Sequence, residues 1–293
     1  MSEFNSEPID IIVPWVNPND PVWRKDFEYW KEKETGNKDA CRYRDCGFIK
    51  YVFRSIEENC PWCRYVFLVL SGPSQIPDWL NVNHPKLKIV YHKDYIPEEF
   101  LPTFNSNVIE LFYSRIEELS ENFILCNDDT FFCQKKSEDF FFKHNLPIMV
   151  NAYQHCDNSF WGKTLTNSRN AATKIIKTSH LFSNLHLPTC YKKSLQKFVG
   201  MKINFDIMRK SKFRTINDIT HFTYLTVQGM GKYKIFNSEH RGQFYCITAT
   251  PRNLNFNQPM ICVNEGELST DKSIKNYYVQ IEKHFSKKSG FEK

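Results

Sequence analysis

Glycine is scarce in this sequence, at 10 of 293 residues. That scarcity argues against a site built on long glycine loops. No apolar run approaches the roughly 20 residues that a membrane-spanning helix needs. The first residues, Met1 to Pro8 (MSEFNSEP), are polar and acidic. They lack the basic start and apolar stretch of a secretion signal. No Lys/Arg run resembles a nucleic-acid arm, and Lys192-Lys193 and Lys287-Lys288 read as solvated surface. Internal repeats, low-complexity stretches and linkers are also lacking. The expectation is a globular cytoplasmic protein with no nucleic-acid partner.

What the sequence does hold is aromatic. It has 25 Phe and 14 Tyr, so much of the core is expected to be aromatic. Net charge is +6, from 39 Lys and Arg against 33 Asp and Glu. This mild excess suits phosphate-bearing ligands or an anionic membrane face. The ten cysteines fit reduced thiols in a cytoplasmic protein. Cys60-Pro61-Trp62-Cys63 is a CxxC, but no second ligand pair or thioredoxin-like context accompanies it. It reads as two incidental thiols beside a buried Trp.

Ile9 to Val16 (IDIIVPWV) is a nearly continuous apolar run, as expected of a strand buried on both faces. Tyr65 to Leu70, Leu87 to Tyr91 and Phe123 to Cys126 read as further strands. Val22 to Lys33, Phe48 to Asn59 and Asn105 to Leu119 read as helices, with Ile109, Phe112, Ile116 and Leu119 on one side of the last. Alternation of this kind to about residue 135 argues for a mostly parallel sheet with helices on its faces. Beyond it, Asn151 to Phe182 leans helical. Cys190 to Phe198, Thr215 to Gln228 and Asp271 to Ser286 read as helices. Arg241 to Ala249 and Met260 to Val263 read as extended.

Three places carry candidate chemistry. Asn127-Asp128-Asp129 follows an apolar strand and offers hard oxygen ligands for Mg²⁺ or Mn²⁺. As a bare tripeptide it is more commonly an Asx turn. In Arg42-Tyr43-Arg44-Asp45, two Arg could clamp phosphate oxygens, with Asp45 capping the next helix. Equally, the segment could be a cap with surface charges. His186, just before Pro188, could deprotonate a hydroxyl, although a lone His is usually a surface or core residue. Arg214, in Lys212-Phe213-Arg214, is by itself likewise usually a surface or core residue.

Taken together, these segments resemble the Stealth family of sugar-phosphate transferases. Ile9 to Trp23 resembles its first signature region. Arg42 to Tyr95 resembles the second, with Asp45, Arg54-Ser55-Ile56, Pro61-Trp62, Pro77-Asp78-Trp79-Leu80 and His92-Lys93-Asp94. Leu101 to Phe132 resembles the third. His186 to Ser194 and Phe213 to Gln228 resemble the fourth. Ile261 to Glu265 and Lys288 to Glu292 resemble the family's ending. The resemblance runs in order over nearly the whole chain. In that family Asn107 and Ser114 are often His, and Asn264-Glu265 is usually Asn-Asp.

The resemblance implies one α/β domain with a Rossmann-like, nucleotide-sugar-transferase-type core and a helical insertion. Residues 1–150 would form the core, 151–235 a helical acceptor-side portion, and 236–293 a return to the core. It implies transfer of a sugar-1-phosphate from a nucleotide-diphosphate sugar to a hydroxyl of a glycan or lipid-linked glycan. Asp10, Glu110, Asp129, His186 and Arg214 become the expected catalytic residues, with His186 as base. Asp128, Asp129 and Asn264 become the expected metal residues. Trp15, Arg42, Asp45, Arg115 and Lys193 become the expected substrate contacts. The compact length suggests a bacterial cell-surface glycan enzyme, placed at the inner membrane face with membrane-associated assembly machinery. Two other readings stay open: a metal-dependent glycosyltransferase releasing nucleoside diphosphate, and a non-catalytic sugar-nucleotide-binding subunit.

Overall fold

A strand covered on both faces needs apolar side chains on both. Strand β1 (Ile9–Pro14) meets that demand, with five of its six residues buried. Ile11 and Val13 pack on one side of the sheet and Ile12 on the other. In the computed structural model, which describes residues 7–152, 158–176, 183–202, 211–215, 234–236 and 241–293, β1 is the middle strand of a five-stranded sheet.

Helix α1 (Pro21–Lys33) follows, capped by the Asp20 side chain, and then α2 (Ile49–Asn59). Strands β2 (Val66–Leu70) and β3 (Leu87–Tyr91) build outward from β1 on one side. After α3 (His92–Tyr95) and α4 (Ser106–Leu111), β4 (Asn122–Leu125) adds to the other side of β1. All these pairings are parallel. The order β3-β2-β1-β4 is that of a Rossmann-like core, as the alternating pattern implied. One face packs Phe53 and Ile56 of α2; the other packs Val108 of α4.

The chain then leaves this sheet through β5 (Thr130–Phe132) and forms β6 (Phe142–Lys143) and β7 (Leu146–Ala152). Helix α5 (Phe160–Ile176) and strand β8 (Ser183–Asn184) come next. Strand β9 (Thr189–Lys192) runs antiparallel along β4, and α6 (Lys193–Lys202) follows it directly. Strand β10 (Lys234–Phe236) pairs with β7. Strands β11 (Gly242–Ile247) and β12 (Met260–Glu265) are parallel neighbours, and β12 also pairs antiparallel with β5. A Cβ at Gly242 would lie 2.3 Å from the Met260 carbonyl oxygen, so the tight β11–β12 approach requires glycine there. Helix α7 (Asp271–His284) closes the chain onto the core through Tyr277 and Ile281.

Three expectations need correction. The helix foreseen over Asn105 to Leu119 ends at Leu111 and gives way to a 3₁₀ turn at Tyr113–Arg115. Leu111, Phe112 and Tyr113 are all buried, and three successive residues of a straight α-helix cannot share one face. The helix foreseen from Cys190 begins only at Lys193, because Thr189–Lys192 covers the open edge of β4. Asp45 does not cap α2; its carboxylate accepts from the Gly47 N–H at 2.8 Å, within its own turn. The helix foreseen over Thr215 to Gln228 lies almost wholly outside the described residues. Cys60 and Cys63 are buried free thiols, both pushed upward in pKa by burial.

Arg54 on α2 holds the last residues against the core. Its Nε and Nη2 donate to the two carboxylate oxygens of Glu292 at 2.8 Å each, and its Nη1 donates to the Phe285 carbonyl at 2.7 Å. Burial alone would raise the Glu292 pKa, but Arg54 and the Ser289 hydrogen bonds outweigh it and hold it below the ordinary range. A depressed carboxylate stabilises the fold above its unfolded pKa, and that contribution is lost as pH falls through the folded value. Glu292→Gln is therefore expected to cost roughly 1–3 kcal/mol at neutral pH. In urea unfolding, the gap to the parent protein should close below about pH 4.

Candidate active site

In an open parallel sheet, ligands bind beyond the carboxyl ends of the strands, where the strand order reverses. Here that point lies between β1 and β4. A cavity of about 840 Å³ opens there. Its walls combine Trp15 after β1, Asn127-Asp128-Asp129 after β4, and Asn107 and Glu110 on α4. Arg42, Arg44 and Asp45 come from the loop before α2, and Trp161 from α5. His186, Arg214, Phe244 and Asn264 complete them.

Asn127 to Thr130 is a tight turn, in which the Thr130 N–H and hydroxyl both donate to the Asn127 carbonyl, at 3.1 and 2.9 Å. This turn moves the chain from the large sheet to β5. The Val263 N–H donates to the Asp129 carbonyl at 2.9 Å, which registers β12 beside it. Asn264, next along β12, donates from Nδ2 to Asp129 Oδ2 at 2.8 Å. His186 Nε2 lies 3.7 Å from the same oxygen and 3.3 Å from Asn127 Nδ2. Asp129 Oδ1 is buried and accepts no hydrogen bond from the described residues.

Arg214 arrives from far along the chain, and its backbone is fixed on both sides. The Asn37 N–H donates to the Arg214 carbonyl at 2.6 Å. Phe213 is fully buried among Trp23, Phe27 and Phe104. Gly36 passes so close that a Cβ there would lie 2.7 Å from Phe213 Cβ, and its φ of +136° suits glycine. The Arg214 guanidinium sits over the Trp161 ring, 5.8 Å from its centroid.

The adjacent acids differ in charge preference. Burial raises the Asp128 pKa well above the carboxylate range, and the Asp129 and Asp45 charges add to this. Burial pushes Asp129 up as well, but the His186 charge 3.7 Å away, the Asn264 hydrogen bond and the nearby Cys262 thiol leave it low. For His186, burial lowers the pKa, and Asp129 outweighs burial to raise it. Glu110 is raised by burial against the opposing charges of Arg214 and His186. Hence Asp129 carries negative charge, His186 is biased toward imidazolium, and Asp128 and Glu110 are biased toward the neutral acid.

This donor set fits a divalent cation. Asp128 and Asp129 offer carboxylate oxygens to the cavity, and the orphaned Asp129 Oδ1 has an unused acceptor position. A cation there would reverse the bias on Asp128. Asn264 already turns its amide nitrogen to Asp129, so it orients a ligand rather than supplying one.

Residues 42–149 match the family model described as Stealth protein CR2, conserved region 2. The chain is also 33% identical over 336 residues to a capsular polysaccharide phosphotransferase, WcwK, of Streptococcus pneumoniae, with 99% of each chain covered. The chain belongs to the Stealth family. A second Streptococcus pneumoniae protein of that name is 49% identical over 149 residues, 50% of this chain and 44% of its own length. The capsular polysaccharide phosphotransferase fcs1 of Haemophilus influenzae is 31% identical over 243 residues, covering 76% of this chain and 65% of its own. As a member of the Stealth family, the chain is a transferase.

Most of the residues that the Stealth resemblance singled out meet in one cavity: Trp15, Arg42, Asp45, Glu110, Asp128, Asp129, His186, Arg214 and Asn264 all line it. Three lie elsewhere. Asp10 sits near the start of β1, about 13 Å of strand from Pro14. It is fully buried and takes two hydrogen bonds from Arg64, at 2.9 and 2.6 Å, and one from the Ser120 N–H at 2.7 Å. Asp10 thus ties the amino ends of β1, β2 and β4 together, opposite the site. Arg115 is exposed on the 3₁₀ turn beside the Phe112 ring. Lys193 donates to the carbonyls of Ile116, Glu117 and Leu119 at 2.7, 2.9 and 3.2 Å, and so braces the turn before β4.

The sequence reading passed over three residues that line or adjoin this Stealth site. Trp161 and Phe244 give it aromatic walls. Cys262 is buried beside Asp129 and His186. A signal for Cys262 existed: it lies two residues before Asn264, so both share one face of a strand. Asp129→Asn removes the charge that raises His186 and leaves burial, which lowers it. The imidazole titration of His186 in metal-free protein, followed by NMR, is expected to move toward acid. An unmoved midpoint would show that Asp129 does not set the histidine's charge.

Proposed function

We propose that the chain transfers a sugar-1-phosphate from a nucleotide-diphosphate sugar to a hydroxyl of a glycan acceptor, in synthesis of capsule or another cell-surface polysaccharide. The observation that carries this reading is the meeting of Asp129, His186 and Arg214 in one cavity at the switch point of the sheet. The names of the full-length relatives support it.

Asp128 and Asp129 would hold Mg²⁺ or Mn²⁺. Such a cation offsets charge on the diphosphate and on the departing nucleotide. Arg42 and Arg44 line the same cavity and can meet phosphate oxygens bidentately. In its neutral form, His186 takes the proton of the acceptor hydroxyl, and Asp129 then stabilises the imidazolium. The acceptor oxygen attacks the phosphorus that bears the sugar. The bond from that phosphorus to the oxygen of the nucleoside monophosphate breaks, and a phosphodiester results. Arg214 stabilises the charge that builds on the phosphoryl oxygens. Stacking on Trp161 restricts the guanidinium to that task. Glu110, whose pKa burial raises, lines the cavity where it can hydrogen-bond the donor sugar.

Among the described residues, no helix is long and apolar enough to cross a membrane. The placement that fits this reading is cytoplasmic and peripheral, at the inner face of the membrane, with lipid-linked glycan and assembly machinery as partners. The positive excess suits an anionic surface.

The released nucleotide tests the reaction. With a panel of nucleotide sugars, Mg²⁺ and a capsular oligosaccharide acceptor, nucleoside monophosphate is expected, and chelation should stop its release. Nucleoside diphosphate instead would identify a glycosyltransferase. His186→Ala should lower turnover about 10²- to 10⁴-fold while circular dichroism shows the fold intact. Undiminished turnover in that variant would remove His186 from the role of base.

A further inference from the structure

Cys262 takes no part in the transfer proposed above, yet its position is specific. It lies on β12 in register with Thr130 of β5, and it is fully buried. Strand alternation puts it on the face of Asn264, which donates to Asp129. The Cys262 Sγ, one Asp129 carboxylate oxygen and one His186 ring nitrogen all lie within 4.8 Å of one another.

We propose that Asp129, His186 and Cys262 form a binding site for a thiophilic divalent cation of the Zn²⁺ and Co²⁺ class, and that its occupation takes His186 out of the transfer reaction.

The ligand chemistry separates this site from the oxygen site of Asp128 and Asp129. Mg²⁺ selects hard oxygen donors, and a buried thiol with an imidazole offers it little. One sulfur, one nitrogen and one carboxylate oxygen match a three-ligand zinc centre, with the fourth tetrahedral position open. The spacing agrees. Ligand atoms around tetrahedral zinc stand about 3.3–3.8 Å apart. The His186 Nε2 to Asp129 Oδ2 distance is 3.7 Å, and the Cys262 thiol lies within 4.8 Å of both partners' ligand atoms. The open position faces the cavity, because His186 and Asp129 both line it. An outer shell is also in place: Asn264 steadies the Asp129 carboxylate through its amide.

Binding has a chemical consequence for the proposed reaction. His186 Nε2 now faces the Asn127 amide and the Asp129 carboxylate. A cation on that nitrogen occupies the lone pair that would take the acceptor proton. Nitrogen and sulfur sites favour Zn²⁺ over Mg²⁺, so trace zinc, which shares Asp129 with the oxygen site, suppresses a Mg²⁺-supported enzyme.

The inference deepens the proposed transfer, whose residues it shares, but binding can be read without turnover, so the two can fail separately. The test adds Co²⁺ to the metal-free full chain and follows absorbance. One equivalent should give a thiolate-to-cobalt charge-transfer band in the near ultraviolet with tetrahedral visible bands, and Zn²⁺ should abolish both. Cys262→Ser should lose the charge-transfer band. His186→Ala leaves the buried thiol untouched and should weaken Co²⁺ binding by more than about tenfold. Absence of the band in the parent protein, or its persistence in Cys262→Ser, overturns the site. Should Cys262→Ser fail to fold, unchanged Co²⁺ affinity in His186→Ala overturns it. Full nucleotide release with one Zn²⁺ bound overturns the inhibition.

Discussion

The Asp129 carboxylate is held in its charged form where burial disfavours charge. Such a group costs several kcal/mol unless charge and hydrogen bonds match it. Here the charge and its matching groups come from three separate stretches: the turn after β4 that carries Asp129, the loop before β9 that carries His186, and β12 that carries Asn264. Each must be fixed to within a fraction of an ångström to meet the others. That requirement makes sense of the peripheral pairings. Strand β9 lies along β4 and sets His186, while β12 lies along β5 and sets Asn264. A parallel core alone would supply the acids but not their partners.

The same economy of position divides the two neighbouring acids. Asp128 and Asp129 share a turn and differ in what they face. Asp129 faces a cationic imidazole and an amide; Asp128 faces the like charges of Asp129 and Asp45. One turn therefore holds two carboxyl groups whose pKa values are pushed in opposite directions. At the other end of β1, Asp10 solves a different problem. Its bidentate partner Arg64 and the Tyr65 and Ser120 N–H groups consume its acceptor capacity, so it locks strand ends together.

Much of this was legible in the residues. The central strands are short, continuous apolar runs, and burial on both faces makes such runs hard to mistake. Asn127-Asp128-Asp129 stands out because it follows one of them, and it forms a turn that lines the candidate cavity. What escaped reading depends on pairing. Thr189–Lys192 has no apolar run of its own and becomes a strand because β4 has an open edge. Ser106–Leu111 stops short because three successive buried residues demand a change of helix geometry. Asp10 belongs to an apolar strand, and a sequence does not say which end of a strand faces the ligand. Cys262 gains meaning only when β12 is known to lie beside Asp129.

The union of Asn264 with Asp129 spans 135 residues of chain. Contacts of such separation are costly to close and form late, after local structure has collapsed. During synthesis, the core strands β1 to β4 can assemble while β12 is still inside the ribosome. At that stage the acidic turn exists without its amide partner, and β5 without its β12 neighbour. The candidate site is thus completed after the parallel core, when β12 brings its own wall to the cavity.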